Sequence, residues 1–193
     1  MCRTLLNRPY SFFFIRILHR PVLQGEIGVH ALELGVLVLE FLQSLELRSP
    51  GHIGIHYMIG TALVLKGEAQ AALENMQREF FDVFRLIGLP MAYHALGDVR
   101  ASDASLAELI EKHQQDAAYN IAHVLAYRNE ADRAFEWLNK AVAYGDPGLI
   151  EIVGNPLFGN IQGDPRWLPF LESIGKSPAQ LDAIKFEVTL SGQ

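Results

Sequence analysis

Seven histidines are the side chains in this sequence best suited to chemistry. His52 and His56 are four apart, a spacing that places two imidazoles on one side of a helix start. Zinc needs three or four ligands, and neither an HExxH motif nor a carboxylate at a fixed helical offset accompanies this pair. It reads as a partly exposed couple where a helix begins, and a small metal-dependent hydrolase is the remotest of the functional readings. His94 and His123 form a second set with Tyr119 and Tyr127. Aromatic and adaptable side chains of this kind are what peptide-binding surfaces use. Asp82, Asp98, Asp103 and Asp132 read as capping or solvated residues. No serine–histidine–aspartate order, phosphate loop or carboxylate pair is present, and Gly25 to Gly28 is too short to count as one. The expectation is a protein that is not an enzyme and uses no cofactor.

The elements that must position these residues are helices. Gly28 to Leu47 has Leu32, Val36, Leu39, Leu42 and Leu45 at spacings of three and four, and Ser49-Pro50-Gly51 ends it. Ile53 to Lys66 and Glu68 to Phe81 follow, joined by a single Gly-Glu step, so they run antiparallel. The second of these places Ala69, Ala72, Leu73, Met76 and Phe80 on one side. Phe84 to Leu96 contains Pro90, which predicts a kink or a fresh start at Leu89. Ser102 to Lys112 comes next. Ala117 to Arg128 and Ala131 to Tyr144 make the clearest hairpin, with Asp116 as its expected N-cap. Gly148 to Val153 is a short helix. Asp164-Pro165 caps another that carries Trp167, Phe170 and Leu171. Pro178 to Ile184 is the last helix, before a tail of alternating character.

Composition narrows the function classes. Half the residues are hydrophobic and a fifth are charged, as in a globular chain. The net charge of −6 argues against a nucleic-acid footprint. Residues 1 to 25 hold Arg3, Arg8, Arg16 and Arg20 and no acid. This stretch has a basic start and an apolar centre, but Arg16 interrupts that centre and no small-residue cleavage site follows. No apolar run reaches the length of about 20 residues that a spanning helix needs. A single cysteine, Cys2, excludes an intramolecular disulfide and a cysteine-based zinc site. The expected location is the cytoplasm.

A repeat underlies the helices. The breaks at Gly67, Gly97 and Asn129 are 30 and 32 residues apart. Seven residues before each stands Gly60, Pro90 or Ala122, and five after stands Ala72, Ser102 or Ala134. Large residues flank them: Leu63, Tyr93 or Leu125 four before, and Met76, Leu106 or Leu138 nine after. Small residues on facing helices let the backbones approach, and large ones fill the space beside them. In this the sequence resembles the tetratricopeptide repeat, whose period is about 34. The third copy matches best, with Ala122, Leu125, Ala134, Leu138, Ala141 and Pro147. It lacks the early tryptophan and has Asn129 for glycine, while Pro90 and Ser102 depart from pattern in the second copy.

From about Gly60 to Gly175 the chain resembles the C-terminal repeat region of bacterial multi-domain regulatory proteins, on AYHALG at Ala92 to Gly97, EADRAFEWLNKA at Glu130 to Ala141, YGDPGL at Tyr144 to Leu149 and GDPRWLPFLESIG at Gly163 to Gly175. The resemblance implies an all-α, right-handed superhelix with capping helices at each end. It implies repeats at about 53–81, 82–114 and 116–147 within a domain of residues 29–175. A basic, apolar arm precedes them at 1–28, and a C-terminal helix and tail follow at 176–193. It also implies a concave groove lined by the first helix of each pair, which selects Tyr57, Thr61 and Leu65, then Met91 and His94, then Tyr119, His123 and Tyr127. The function implied is non-catalytic binding of a protein, as a peptide or helix. The alternative is a regulatory or sensory fragment of a bacterial signalling or transcription system. Val29 to Leu47 is apolar around most of its circumference, which suits self-association through the N-terminal helices.

Overall fold

A computed structural model of the chain describes residues 29–48 and 52–185. The expectations for the arm at 1–28 and for the tail after Lys185 fall outside these residues. Every regular element described is helical, and no strand occurs among the described residues. The α-helices are α1 (Val29–Arg48), α2 (Ile55–Lys66), α3 (Ala69–Arg78), α4 (Asp82–Ala95), α5 (Val99–His113), α6 (Ala118–Tyr127), α7 (Ala131–Tyr144), α8 (Trp167–Ser173) and α9 (Pro178–Asp182). Two 3-10 segments, Pro147–Gly154 and Pro156–Ile161, lie between α7 and α8. No described helix is long and apolar enough to cross a membrane.

The three aligned breaks share one backbone geometry. Gly67, Gly97 and Asn129 all have positive φ, at 81°, 78° and 61°. At each, the next residue's amide reaches back to a carbonyl five residues earlier: Glu68 to Leu63, Asp98 to Tyr93 and Glu130 to Leu125. This is the Schellman ending, which satisfies the last carbonyls of a helix and turns the chain within one left-handed residue. Asparagine tolerates that conformation better than other side-chain-bearing residues, which is why it substitutes for glycine at 129.

The helices pack as α2 with α3, α4 with α5 and α6 with α7, while α2 packs on α4 and α4 on α6. Helix α1 packs on α2 at one end of this row. The aligned small residues are all buried. A Cβ on Gly60 would stand 2.6 Å from Met76 Cγ, and one on Gly88 would stand 2.8 Å from the same atom. Met76, fully buried, thus occupies the space that two glycines leave. The two off-pattern residues of the second copy are partners. The Ser102 hydroxyl donates to the Pro90 carbonyl at 2.7 Å and accepts from Arg128 at 3.0 Å. Helix α4 runs on through Pro90 as one element.

Two local expectations are corrected. Helix α3 stops at Arg78, and Phe80 is 60% exposed instead of joining the packed side. The cause is Glu79, which takes an extended backbone and buries its carboxylate. That carboxylate accepts from the amide of Phe81 at 3.0 Å, and from that of Tyr57 in the first turn of α2 at 3.4 Å. Amides of a helix start lack partners and favour an anion. Glu79→Ala is expected to lower stability by about 1–3 kcal/mol, read as a lower urea midpoint with an unchanged slope. The second correction concerns Asp116, which does not cap α6. The Tyr119 amide instead donates to Asp146, 27 residues later, at 2.9 Å.

Candidate functional site on the first helices

Tyr119, His123 and Tyr127 recur every four residues and share one face of α6. The two 3-10 segments lie on α6. Three Asx-Pro steps shape this part of the chain. The Asp146 carboxylate accepts from the Gly148 amide, Asn155 Oδ1 from the Leu157 amide, and Asp164 Oδ1 from the Arg166 amide, at 2.9–3.0 Å. In each, a short side-chain acceptor takes an amide two residues on, and the proline supplies a fixed φ. Of the three, only Asp164-Pro165 is legible as a cap from the sequence alone.

Tyr119 is held at every point. Its amide donates to Asp146 and its hydroxyl accepts from Asn155 Nδ2 at 3.0 Å. Its ring lies 5.5 Å from that of Phe158, which lies 5.6 Å from the Trp167 ring. Position 148 must be glycine for this approach, because a Cβ there would stand 2.4 Å from Tyr119 Cδ1. His123 meets the rings of Tyr119 and Phe158 edge-on at 5.7 and 6.3 Å. It is 2% exposed, and neither ring nitrogen has a hydrogen-bond partner. Burial pushes its pKa down to about 3, so the imidazole is neutral at ordinary pH. Burial likewise holds the Tyr119 hydroxyl protonated.

The expectation that Met91, Tyr119 and His123 line an open groove is therefore corrected. Met91 is core, and the chain's own 3-10 segments cover the other two. Of the remaining residues selected from the sequence, Tyr57, Thr61, His94 and Tyr127 are half-buried and Leu65 is exposed. The Tyr57 ring stacks on Phe84 at 5.5 Å, and Thr61 lies beside it one turn on. Burial raises the Tyr57 pKa, which the Thr61 hydroxyl lowers in part and Glu151 raises further. Glu151, on the first 3-10 segment, is itself raised to about 7 by burial and by the neighbouring Asp146. The same carboxylate acts on Tyr119, so Tyr57 of α2 and Tyr119 of α6 feel the field of one acidic residue that periodicity could not indicate. His94 packs edge-on against Tyr127 at 5.8 Å, and the Tyr127 carbonyl accepts from Asn160 at 2.7 Å. Burial lowers the His94 pKa, and Arg128 lowers it further.

His56 is buried with Nδ1 3.7 Å from Glu46. Among the described residues no group of three or more histidine, cysteine, aspartate or glutamate side chains is placed to hold a metal ion.

The fold and site together define an all-α chain of stacked helical hairpins, covered at the α6–α7 end by its own C-terminal segments. No protein-family model, curated protein or solved structure matches it.

Proposed function

We infer that the chain is a non-catalytic binding module of tetratricopeptide type, which holds a peptide or helix of another protein against α2, α4 and α6. The observation that carries this reading is the common left-handed break at Gly67, Gly97 and Asn129, with buried small residues at matching distances from each. Hairpins joined this way, with first helix stacked on first helix, support a superhelical row with one face built from first helices. The surface left for a ligand on that face is Tyr57, Thr61, Leu65, His94 and Tyr127. Glu151 and Asp146 make its edge acidic, which suits a ligand with a basic residue beside an apolar or aromatic one.

A displayed peptide library panned on the protein tests this reading. Peptides selected on the wild type are expected to bind Tyr57→Ala plus Tyr127→Ala at least roughly tenfold more weakly, the loss of one good aromatic anchor. Peptides that bind the folded double variant equally well place recognition elsewhere. A library that yields no binder removes the reading.

A further inference from the structure

Carboxylates held out of full exposure have partners in this chain, with one exception among the residues whose side chains are described. Glu46, Asp82, Glu108, Glu130 and Asp164 each pair with an arginine or a lysine. Glu79 and Asp146 each accept from two backbone amides. Glu151 is half-buried and has neither a hydrogen bond nor an ion pair among the described residues. An ionised carboxyl taken partly out of water without a partner is costly, so such a group holds its proton instead. Burial and the neighbouring Asp146 do this to Glu151, which titrates at about 7.

Its place in the fold is as telling as its state. Glu151 lies on the first 3-10 segment, which packs on α6, and its field reaches Tyr57 of α2 as well as Tyr119 of α6. Tyr57 is part of the ligand face assigned above. Each Asp146 oxygen already takes an amide, one from Tyr119 and one from Gly148, which leaves Glu151 as the unpaired acid of this edge. Asp146 is also the only charged group among the described residues that acts on Glu151.

We propose that Glu151 is the charged anchor of the ligand face, where its carboxylate binds the guanidinium or ammonium group of one arginine or lysine in the bound peptide. The proposal rests on the binding-module reading and names the residue that selects the basic side chain. The incoming cation supplies the partner that the fold does not. It also displaces the carboxyl proton, so the peptide binds more tightly as pH rises. With a midpoint of about 7, Glu151 is about one-tenth ionised at pH 6 and about nine-tenths at pH 8, a rise of roughly tenfold in affinity. Tyr57 and Tyr119 stay protonated across this range. His94, on the same face, is held neutral to lower pH than usual by burial and by Arg128.

Carbon-13 NMR of the Glu151 carboxyl in the full chain is the first measurement. A midpoint near 7 is expected, and one near the ordinary 4.5 would mean that a cation of the chain already holds the group, which overturns the proposal. The displayed library is then panned at pH 8, and the tightest peptide becomes the probe. It is expected to contain arginine or lysine, and to bind roughly tenfold more weakly at pH 6. It is expected to lose about as much at pH 8 when citrulline replaces the arginine or norleucine the lysine. Glu151→Gln keeps the shape and removes the charge. It is expected to bind the probe at pH 8 as weakly as the wild type does at pH 6, with little change between the two. Glu172→Gln, at an exposed acid, controls for general attraction to an acidic protein and is expected to change binding by less than roughly twofold. A probe that keeps its affinity on Glu151→Gln, or that needs no basic residue, overturns the anchor and leaves the binding module standing. A library without a binder overturns both.

Discussion

His123→Leu is expected to reverse the response of this protein to mild acid. The sign follows from the buried imidazole, whose folded pKa of about 3 lies below its ordinary value of 6.5. The unfolded chain takes up a proton as pH falls through 6.5, and the folded chain does not until about 3. Stability is therefore lost through that window, by about 2 kcal/mol between pH 7 and 5. Burial is the only cause of the shift, and the rings against His123 are Tyr119 of its own helix and Phe158 of the second 3-10 segment, neither charged in this range. Glu151 acts in the opposite sense. Its folded pKa of about 7 lies above the ordinary 4.5, so the folded chain gains a proton first and stability rises as pH falls from 7 toward 4.5. Its partial exposure makes that contribution smaller than its shift alone would give. In the wild type the two offset each other. Urea midpoints at pH 7 and pH 5 are expected to rise on acidification for His123→Leu and to fall more steeply than wild type for Glu151→Gln. Equal slopes in all three proteins would show that His123 is not shut away from water. At pH 7 the leucine variant is expected to be no less stable than wild type, because the two ring nitrogens it removes have no partners.

Phe158→Ala is expected to cost about 3–5 kcal/mol, the range for removing a buried phenylalanine. The ring is fully buried and touches Tyr119, His123 and Trp167. Its loss leaves a cavity at the point where the second 3-10 segment meets α6. Chemical denaturation reads the cost. Proton NMR of the His123 imidazole reads the cause, since water entering the cavity is expected to bring its pKa up toward 6.5. A variant that loses stability while His123 still fails to titrate above pH 4 would mean that the segment stays closed without its ring.

The helices and their three breaks were legible in the sequence because they depend on local rules. Glycine at 67 and 97 and asparagine at 129 mark left-handed endings, and apolar spacing marks the buried sides between them. The cover over α6 was not legible. Pro156–Ile161 is too short to show a helical period, and its Asn155 contact reaches 36 residues back to Tyr119. Tyr119 and His123 were assigned to a surface because, by periodicity alone, a face meeting a ligand and a face meeting the chain's own later segment look the same. Asp116 was preferred over Asp146 for a similar reason, since adjacency suggests a cap and only the fold brings Asp146 to the α6 start. Glu79 was missed because a charged residue near a helix end normally faces solvent.

The distance in sequence between α6 and its cover also sets an order of events during synthesis. Each hairpin turns within one residue and packs mainly on its neighbours, so its contacts are within reach as soon as its second helix is made. The clamp on Tyr119 waits for Asp146, Asn155 and Phe158. A nascent or clipped chain ending before Asp146 would hold all three hairpins and display Tyr119 and His123 on an open aromatic face. Completion of the next few residues closes that face, so the last part of the stack to be made is the part that excludes water from its only fully buried histidine among the described residues.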